Sequence, residues 1–221
     1  MNSKVYVQKC NSYQEVDKKL PLMIDKMGGM SSFVSEGDRI ALKVNLLQPA
    51  NPEKSITTNP AVVGSIGKLV REAGGKPFII DSPGSGYSYN EKTLRKTYKA
   101  SGLEKCAKEN DIELNFDTSY EEFSFPEGNL IKRFEFLTPL LEADGIINLP
   151  KMKTHSFMRM TGAVKNMFGA IPGRMKPGYH AKLHDTDHFA EMLLDLMNSL
   201  KPTLSVVDAV VSMEGDGPAG G

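Results

Sequence analysis

The sequence contains no tryptophan and only two cysteines, Cys10 and Cys106, which lie far apart along the chain. Two isolated cysteines cannot build a disulfide framework or a four-thiolate metal cluster. We therefore expect reduced thiols and a cytoplasmic protein. The sequence also lacks a signal-like start and an apolar run long enough to cross a bilayer, so we expect no membrane partner.

The net charge is zero, because 27 lysines and arginines balance 27 aspartates and glutamates. No overall field then attracts nucleic acid, and we expect no nucleic-acid partner. The balance is not uniform, however, since no Asp or Glu occurs between Gly145 and His184. The same segment carries these basic residues: Lys151, Lys153, Arg159, Lys165, Arg174, Lys176 and Lys182. This segregation predicts a site for a small anionic molecule, and solvated surface lysines are the alternative.

Apolar patterns predict strands and helices that alternate along the chain. Strands are predicted over residues 4–8, 38–47, 76–81, 112–116, 146–149 and 203–207. Helices are predicted over residues 12–27, 61–73, 93–109, 139–143 and 187–200, with a kink or a split at Pro21 and an interruption near Gly102. Several strands are continuous apolar runs, which are typical of a parallel sheet covered on both faces. We therefore predict a single α/β domain over residues 1–221, with a Rossmann-like, mostly parallel sheet and a small insertion near residues 115–138.

Polar and glycine residues follow the predicted strands, and ligands bind at the carboxyl ends of strands in open α/β sheets. The candidate ligand-binding residues are Lys43, Asn45, Asp81, Ser82, Gly84, Lys151, Thr154, Lys165, Asn166 and Gly215. The loop after Asp81 fits neither the dinucleotide pattern G-x-G-x-x-G nor a Walker A loop, so it identifies no cofactor. An ordinary turn capped by Asp81 or Ser82 is the alternative for this loop.

Lys153, His155 and Glu214 are the candidate catalytic residues. We expect the chain after Pro150 to be irregular, so that Lys151 and Lys153 both point into one crevice. Basic surroundings would keep His155 neutral, and a neutral imidazole can act as a base or bind a metal. Glu214 lies in a glycine-rich loop, where it is a candidate for acid–base chemistry.

Three histidines, His180, His184 and His188, recur every four residues, which is the spacing of a metal site on one face of a helix. The helix is predicted to begin at Asp185 or Asp187, however, which leaves His180 and His184 in a loop. These two residues are weak metal candidates. A metal-dependent isomerase or hydrolase is therefore retained as an alternative function.

Several segments resemble a known family of proteins. They are KVNLL (43–47), TTNPAVV (57–63), DSPG (81–84), NLPKMKTH (148–155), TGAVKNMFGAIPG (161–173), YHAKLHD (179–185) and VVDAVVSMEGDGPAGG (206–221). Together they are similar to the domain of unknown function family numbered 362, and the likeness covers nearly the whole chain. Many members of that family carry a ferredoxin-type cysteine module, so the resemblance implies an iron–sulfur-associated protein.

This sequence has no ferredoxin-type cysteines, so a 4Fe-4S cluster would lie in a ferredoxin-like module beyond Gly221. The polar Gly/Pro stretch at the end leads us to expect that the chain is truncated there. The resemblance implies a fold and site positions without a settled reaction. Two functions are therefore expected. One is binding of a small anionic ligand or cofactor at the strand ends, with His155 and Lys153 as the catalytic residues if the protein is an enzyme. The other is an electron-transfer or scaffold protein whose basic segment docks the iron–sulfur module.

Overall fold

The computed structural model describes residues 4–84 and 86–220 and is built around a five-stranded parallel sheet. The strands of the described residues are β1 (Arg39–Lys43), β2 (Lys76–Ile80), β3 (Glu113–Leu114), β4 (Tyr120–Ser124), β5 (Arg133–Leu137), β6 (Gly145–Asn148), β7 (Lys151–His155), β8 (Arg159–Thr161), β9 (Leu204–Ser205) and β10 (Asp208–Met213). The central sheet has the order β3-β2-β1-β6-β9, and every neighbouring pair in it is parallel. The predicted α/β class is confirmed.

Helices cover both faces of this sheet. They are α1 (Val16–Asp25), α2 (Pro60–Glu72), α3 (Glu91–Ala100), α4 (Leu103–Asn110), α5 (Thr138–Leu141), α6 (Ala163–Asn166), α7 (Lys176–Lys182) and α8 (Thr186–Leu200). Successive residues of a strand face opposite sides. On β1, Ile40 and Leu42 pack into the core that contains α1, α2 and α4, and Ala41 packs into the core that contains α8. Lys43 follows Ala41 by two residues and therefore lies on the α8 side.

The strand order changes direction between β1 and β6, because β2 and β3 lie on one side of this pair and β9 lies on the other. Lys43 of β1 and Asn148 of β6 are paired at this point. The crevice that forms where an open α/β sheet reverses its order is the usual place for a ligand. The fold therefore brings the predicted polar strand ends to a position suited to binding.

Two smaller sheets complete the fold. After Pro150 the chain leaves the central sheet, and β7 becomes the middle strand of a sheet with the order β10-β7-β8. β7 runs parallel to β10 and antiparallel to β8. The strands β4 and β5 form an antiparallel hairpin within the predicted insertion. No helix among the described residues is long and apolar enough to cross a membrane.

Three local expectations differ from the structure. Residues 4–8 form no strand, and the side chains of Val5 and Val7 are 86% and 92% exposed, so the alternating pattern there has no sheet to join. Pro21 lies inside a continuous α1 instead of dividing it. The strand β10 was not predicted, because its glycine-rich continuation indicated a loop. The predicted break near Gly102 is confirmed, since α3 ends before it and α4 begins after it.

Candidate functional site

A cavity of about 300 Å³ lies at the carboxyl ends of β1 and β2, beside β7. The segments that form its walls are the loops after β1 and β2, the strand β7, the turn around α6, the helix α7 and the C-terminal segment. They contribute, in that order, Asn45, Ser82, Lys153, Lys165, Lys176 and Pro218. The ends of separate strands therefore lie around one cavity. Asn166, Gly84, His155 and His180 also line it.

Lys43 and Asp81 form a closed ion pair at the base of the cavity. Lys43 Nζ lies 2.8 Å from Asp81 Oδ1, and the two side chains are 0% and 4% exposed. Asp81 also accepts hydrogen bonds from Leu46 N at 2.6 Å and from Ser82 N at 2.8 Å. Lys43 Nζ donates in addition to the carbonyl oxygen of Asn166. Both charges are satisfied within the protein, so this pair orders the base of the site and leaves little capacity for a ligand.

Three asparagines tie α6 to the ends of β1 and β6. Asn166 Nδ2 donates to Asn148 Oδ1 at 2.8 Å, and Asn45 Nδ2 donates to Asn166 Oδ1 at 2.9 Å. Asn148 Nδ2 donates to the carbonyl oxygen of Ala163 at 2.9 Å. Asn45 Oδ1 is buried and has no hydrogen-bond partner among the described residues. Since a buried acceptor without a partner is costly, this oxygen is a suitable acceptor for a ligand donor.

Three lysines line the cavity without a carboxylate partner among the described residues. Lys153 Nζ donates to the carbonyl oxygen of Ile56 at 2.7 Å, and Lys176 Nζ donates to that of Ser82 at 2.7 Å. Lys165 Nζ makes no hydrogen bond or ion pair with the described residues, and burial alone accounts for the change in its pKa. We call Lys153, Lys165 and Lys176 the open lysines.

Burial lowers the pKa of each open lysine, because the cavity walls remove water from the ammonium group. The pKa falls to about 7 for Lys153, to about 8 for Lys165 and to about 7 for Lys176. The charge of Lys165 lowers the pKa of the other two further, whereas Asp81 raises both. Asp81 is the one acid among the described lining residues, and it is already paired with Lys43. The cavity therefore gathers amines that the protein itself does not neutralise.

His155 lines the cavity as a neutral imidazole with a defined tautomer. Its Nδ1 accepts hydrogen bonds from the backbone N–H groups of Phe157 and Met158, both at 3.2 Å. An acceptor nitrogen carries a lone pair, so the ring proton lies on Nε2. Burial, and then the charge of Lys165, lower the pKa of His155 to about 3. The residue is therefore placed to donate a hydrogen bond from Nε2, and the expectation that it acts as a base is not favoured.

His180 belongs to an aromatic cluster, here called the aromatic wall, which reaches the cavity through His180 and Phe168. Its ring stacks on Phe189 with centroids 4.7 Å apart, and it meets the edges of Phe157 and Phe168. Burial lowers its pKa, and Lys165 adds to the effect. The expectation that His180 lies in a loop is wrong, because it lies within α7. Rings of this wall lie beside the ammonium groups of Lys165 and Lys176, where they reduce contact with water.

Six of the residues suggested by the sequence do not line the cavity, and one of them is Lys43, which lies at its base in the closed pair with Asp81. Glu214 and Gly215 are exposed in the C-terminal segment, and His184 is exposed beyond the end of α7. Thr154 points away from the cavity, because adjacent residues of a strand face opposite sides. Lys151 is buried elsewhere. Glu214, a candidate catalytic residue, and His184, a candidate metal ligand, therefore lie apart from the cavity, as do the candidate binding residues Gly215, Thr154 and Lys151.

Lys151 is held in a second closed ion pair. Its Nζ lies 3.0 Å from Asp208 Oδ2, and neither side chain is exposed. Lys151 Nζ also donates to Tyr13 Oη at 2.6 Å, and Tyr13 Oη donates to Asp208 Oδ1 at 3.0 Å. The expectation of an irregular segment is wrong, because these residues form the strand β7. Lys151 and Lys153 do share one side of the strand. Lys151, however, is paired with Asp208 on the adjacent β10 and does not line the cavity, whereas Lys153 does.

The structure adds two residues that were not proposed individually from the sequence. Lys176 lies in the acid-free segment, which was the available signal, but its place in the chain gave no indication that it reaches the loop after β2. Gly169 lies against the closed pair, where a Cβ atom would collide with Asp81 Oδ1 and crowd Lys43 Nζ. Gly84 lines the cavity, but its N–H is bonded to the carbonyl oxygen of Leu47 at 2.8 Å and is not free for an anion.

No group of three or more His, Cys, Asp or Glu side chains within residues 4–84 and 86–220 is arranged to hold a metal ion. The two cysteines are free thiols, and burial raises the pKa of Cys106 to about 11. The described residues therefore offer no set of metal ligands for a metal-dependent isomerase or hydrolase.

Comparison with known proteins identifies the family. The model of DUF362, described as a domain of unknown function, matches residues 40–221, which include every cavity-lining residue named above. The chain is 35% identical over 209 residues to a curated protein of Synechocystis sp., which is named as thylakoid-associated. This match covers 91% of the chain and 61% of the relative, so the chain spans less than two thirds of that protein's length.

Proposed function

The chain belongs to the DUF362 family, and on this premise we propose that its cavity binds a small anion, presented as a carboxylate or a phosphate, through the open lysines. The observation that carries the proposal is the charge inside the cavity. Lys153, Lys165 and Lys176 face it, and Asp81, its one described acid, is already paired with Lys43. Burying a cation without a counter-ion is costly, and a bound anion removes that cost.

The size of the cavity narrows the class of ligand. A volume of about 300 Å³ is at the small end for binding sites, which favours a compact molecule over a dinucleotide. His155 Nε2–H and the open lysines are donors, and Asn45 Oδ1 is an acceptor. A hydroxy acid, an oxo acid or a small phosphate ester offers the matching groups, namely anionic oxygens together with one further polar group.

Binding of an anion should be coupled to proton uptake. The pKa values of Lys153, Lys165 and Lys176 are about 7, 8 and 7 without a bound anion, so a fraction of these amines is neutral near physiological pH. An anion within contact distance favours their charged forms and raises their pKa values. Affinity is therefore expected to fall as the pH rises through this range.

The test is ligand-dependent thermal stabilisation with sulfate, phosphate, lactate, pyruvate and a sugar phosphate. We expect at least one anion to raise the Tm, with a loss of about tenfold or more in affinity in Lys165→Met, since hydrogen bonds to charged groups contribute about 1.5–3 kcal/mol. Lys182→Met, which changes an exposed lysine of α7, is the matched control and should bind normally. Stabilisation that is absent for every anion, or equal in both variants, would contradict the proposal.

The iron–sulfur alternative has less support in this part of the protein. It requires the basic segment to present an exposed docking surface, but Lys151, Lys153 and Lys176 are 0%, 2% and 4% exposed, so that surface would be limited to Arg159, Arg174 and Lys182. A cluster in a module outside this chain stays a prediction from the family resemblance. A characteristic visible absorption of the full-length protein would support it, and a colourless anaerobic preparation would oppose it.

A further inference from the structure

Lys165 differs from the other two open lysines in one respect. Lys153 Nζ and Lys176 Nζ are each held by a backbone carbonyl oxygen, at 2.7 Å in both cases. Lys165 Nζ has no such partner among the described residues. It lies 5.5 Å from the ring centroid of Phe168 and 5.8 Å from that of Phe189. Its nitrogen is therefore positioned by packing and is free to react.

The surroundings of Lys165 also favour a reactive amine. A lysine becomes a nucleophile when it loses its proton, and both burial and a neighbouring cation promote that loss. Burial acts on Lys165, and the rings of Phe168 and Phe189 in the aromatic wall lie beside its ammonium group. The pKa of Lys165 is about 8, so a useful fraction of the amine is neutral near physiological pH.

We propose that Lys165 Nζ forms a Schiff base with the carbonyl group of a small oxo acid, whose carboxylate is bound by Lys153 and Lys176. This inference rests on the proposed anion site and adds a covalent step to it. It requires a substrate that combines a carbonyl group and a carboxylate within a few atoms. Pyruvate and glyoxylate represent this class.

The step balances without any further reactant. The lone pair of neutral Lys165 Nζ attacks the carbonyl carbon, and the amine loses its two protons to the carbonyl oxygen in the course of the reaction. The C–O bond breaks, the oxygen leaves as water, and a carbon–nitrogen double bond remains. His155 Nε2–H is placed to donate a hydrogen bond to the oxygen while it carries negative charge. No electron transfer is needed.

The experiment is trapping with sodium cyanoborohydride, followed by intact mass measurement and peptide mapping. Wild type is incubated with pyruvate, with lactate, which lacks the carbonyl, or with acetone, which lacks the carboxylate. We expect one pyruvate adduct at Lys165 and more than about tenfold less acetone adduct, because the carboxylate contacts are then missing. Lys165→Arg keeps the positive charge and should give no adduct, whereas Lys182→Arg should react as wild type does.

The outcomes separate this inference from the function on which it rests. If pyruvate and lactate both raise the Tm and no adduct forms, the anion site stands and the Schiff base is wrong. If adducts appear on Lys153, on Lys176 or equally on exposed lysines such as Lys182, the assignment to Lys165 is overturned. If no anion stabilises the protein and no adduct forms, both proposals fail. Because mapping is done on wild type, the result does not depend on the folding of any variant.

Discussion

Lys151 and Lys153 lie two residues apart on β7, share one side of the strand and are both buried, yet they are neutralised differently. Lys151 is paired with Asp208, whereas the one hydrogen-bond partner of Lys153 Nζ among the described residues is the carbonyl oxygen of Ile56. A buried ammonium group is tolerated when a carboxylate compensates it and is costly when none does. The charge of Lys151 is therefore compensated within the protein, whereas that of Lys153 has no carboxylate partner among the described residues. This difference is the basis of the proposed anion site.

The largest expected effect is a difference in stability between two variants, in which a lysine of a closed pair or an open lysine is replaced by methionine. Lys151→Met leaves Asp208 as an uncompensated buried charge and should lower the free energy of unfolding by about 3–5 kcal/mol. Lys165→Met removes an ammonium group that has no partner among the described residues, so stability should change by less than about 1 kcal/mol or increase. Urea unfolding of the two variants measures this difference.

A second substitution serves as the control for this comparison. Adding Asp208→Asn to Lys151→Met removes the uncompensated charge and should recover part of the lost stability. The contrast between closed and open lysines would be broken if Lys165→Met were as destabilising as Lys151→Met, or if Asp208→Asn gave no recovery.

A smaller effect is expected from crowding the other closed pair, Lys43–Asp81. Gly169→Ala places a methyl group against Asp81 Oδ1 and Lys43 Nζ, so it should cost about 1–3 kcal/mol as an overpacking substitution. Gly178→Ala is the matched control, because its Cβ would meet no atom within 4 Å and Gly178 lies within α7. Thermal unfolding of both variants tests the point. Equal stability would mean that this pair does not constrain the cavity.

The ligand-free protein should also show a characteristic pH dependence. Between the folded pKa values of about 7 to 8 and the ordinary lysine value of 10.5, the open lysines bind fewer protons folded than unfolded. Stability should therefore rise with pH in this range, by about 2–4 °C in Tm for each kcal/mol. Measurements should stay below the pH at which Cys106, with a pKa of about 11, begins to ionise.

A bound anion should weaken this pH dependence, which provides the control. Bound sulfate favours the charged lysines, so the rise in Tm with pH should shrink in its presence, and Lys165→Met should reduce the rise without sulfate. A Tm that falls as the pH is raised from neutral, with no ligand present, would contradict the low pKa values on which the contrast depends.

The sequence was sufficient to predict the central sheet and the region of the site. Continuous apolar strands indicated a parallel sheet, and the acid-free segment contains Lys153, His155 and Lys165, which do line the cavity. The prediction of these strands succeeds because a strand that is buried on both faces needs apolar residues at successive positions. Ile79 and Ile147 are buried examples.

The partners of each charge could not be predicted from the sequence. Lys151 and Asp208 are 57 residues apart in the chain, and their contact depends on the parallel pairing of β7 with β10, a strand that the glycine-rich ending concealed. The role of Lys176 likewise depends on its reach to Ser82, which is 94 residues away. Composition identifies a basic segment, whereas only the three-dimensional arrangement separates compensated lysines from open ones.

The most direct test of the account is isothermal titration with sulfate or lactate in two buffers of different ionisation enthalpy, slightly above neutral pH. Neither anion titrates there, so any difference in the observed heat reports protons taken up by the protein. The account predicts binding with net proton uptake, which decreases in Lys165→Met. Binding without proton uptake, or no binding of either anion, would contradict the claim that Lys153, Lys165 and Lys176 form an anion site.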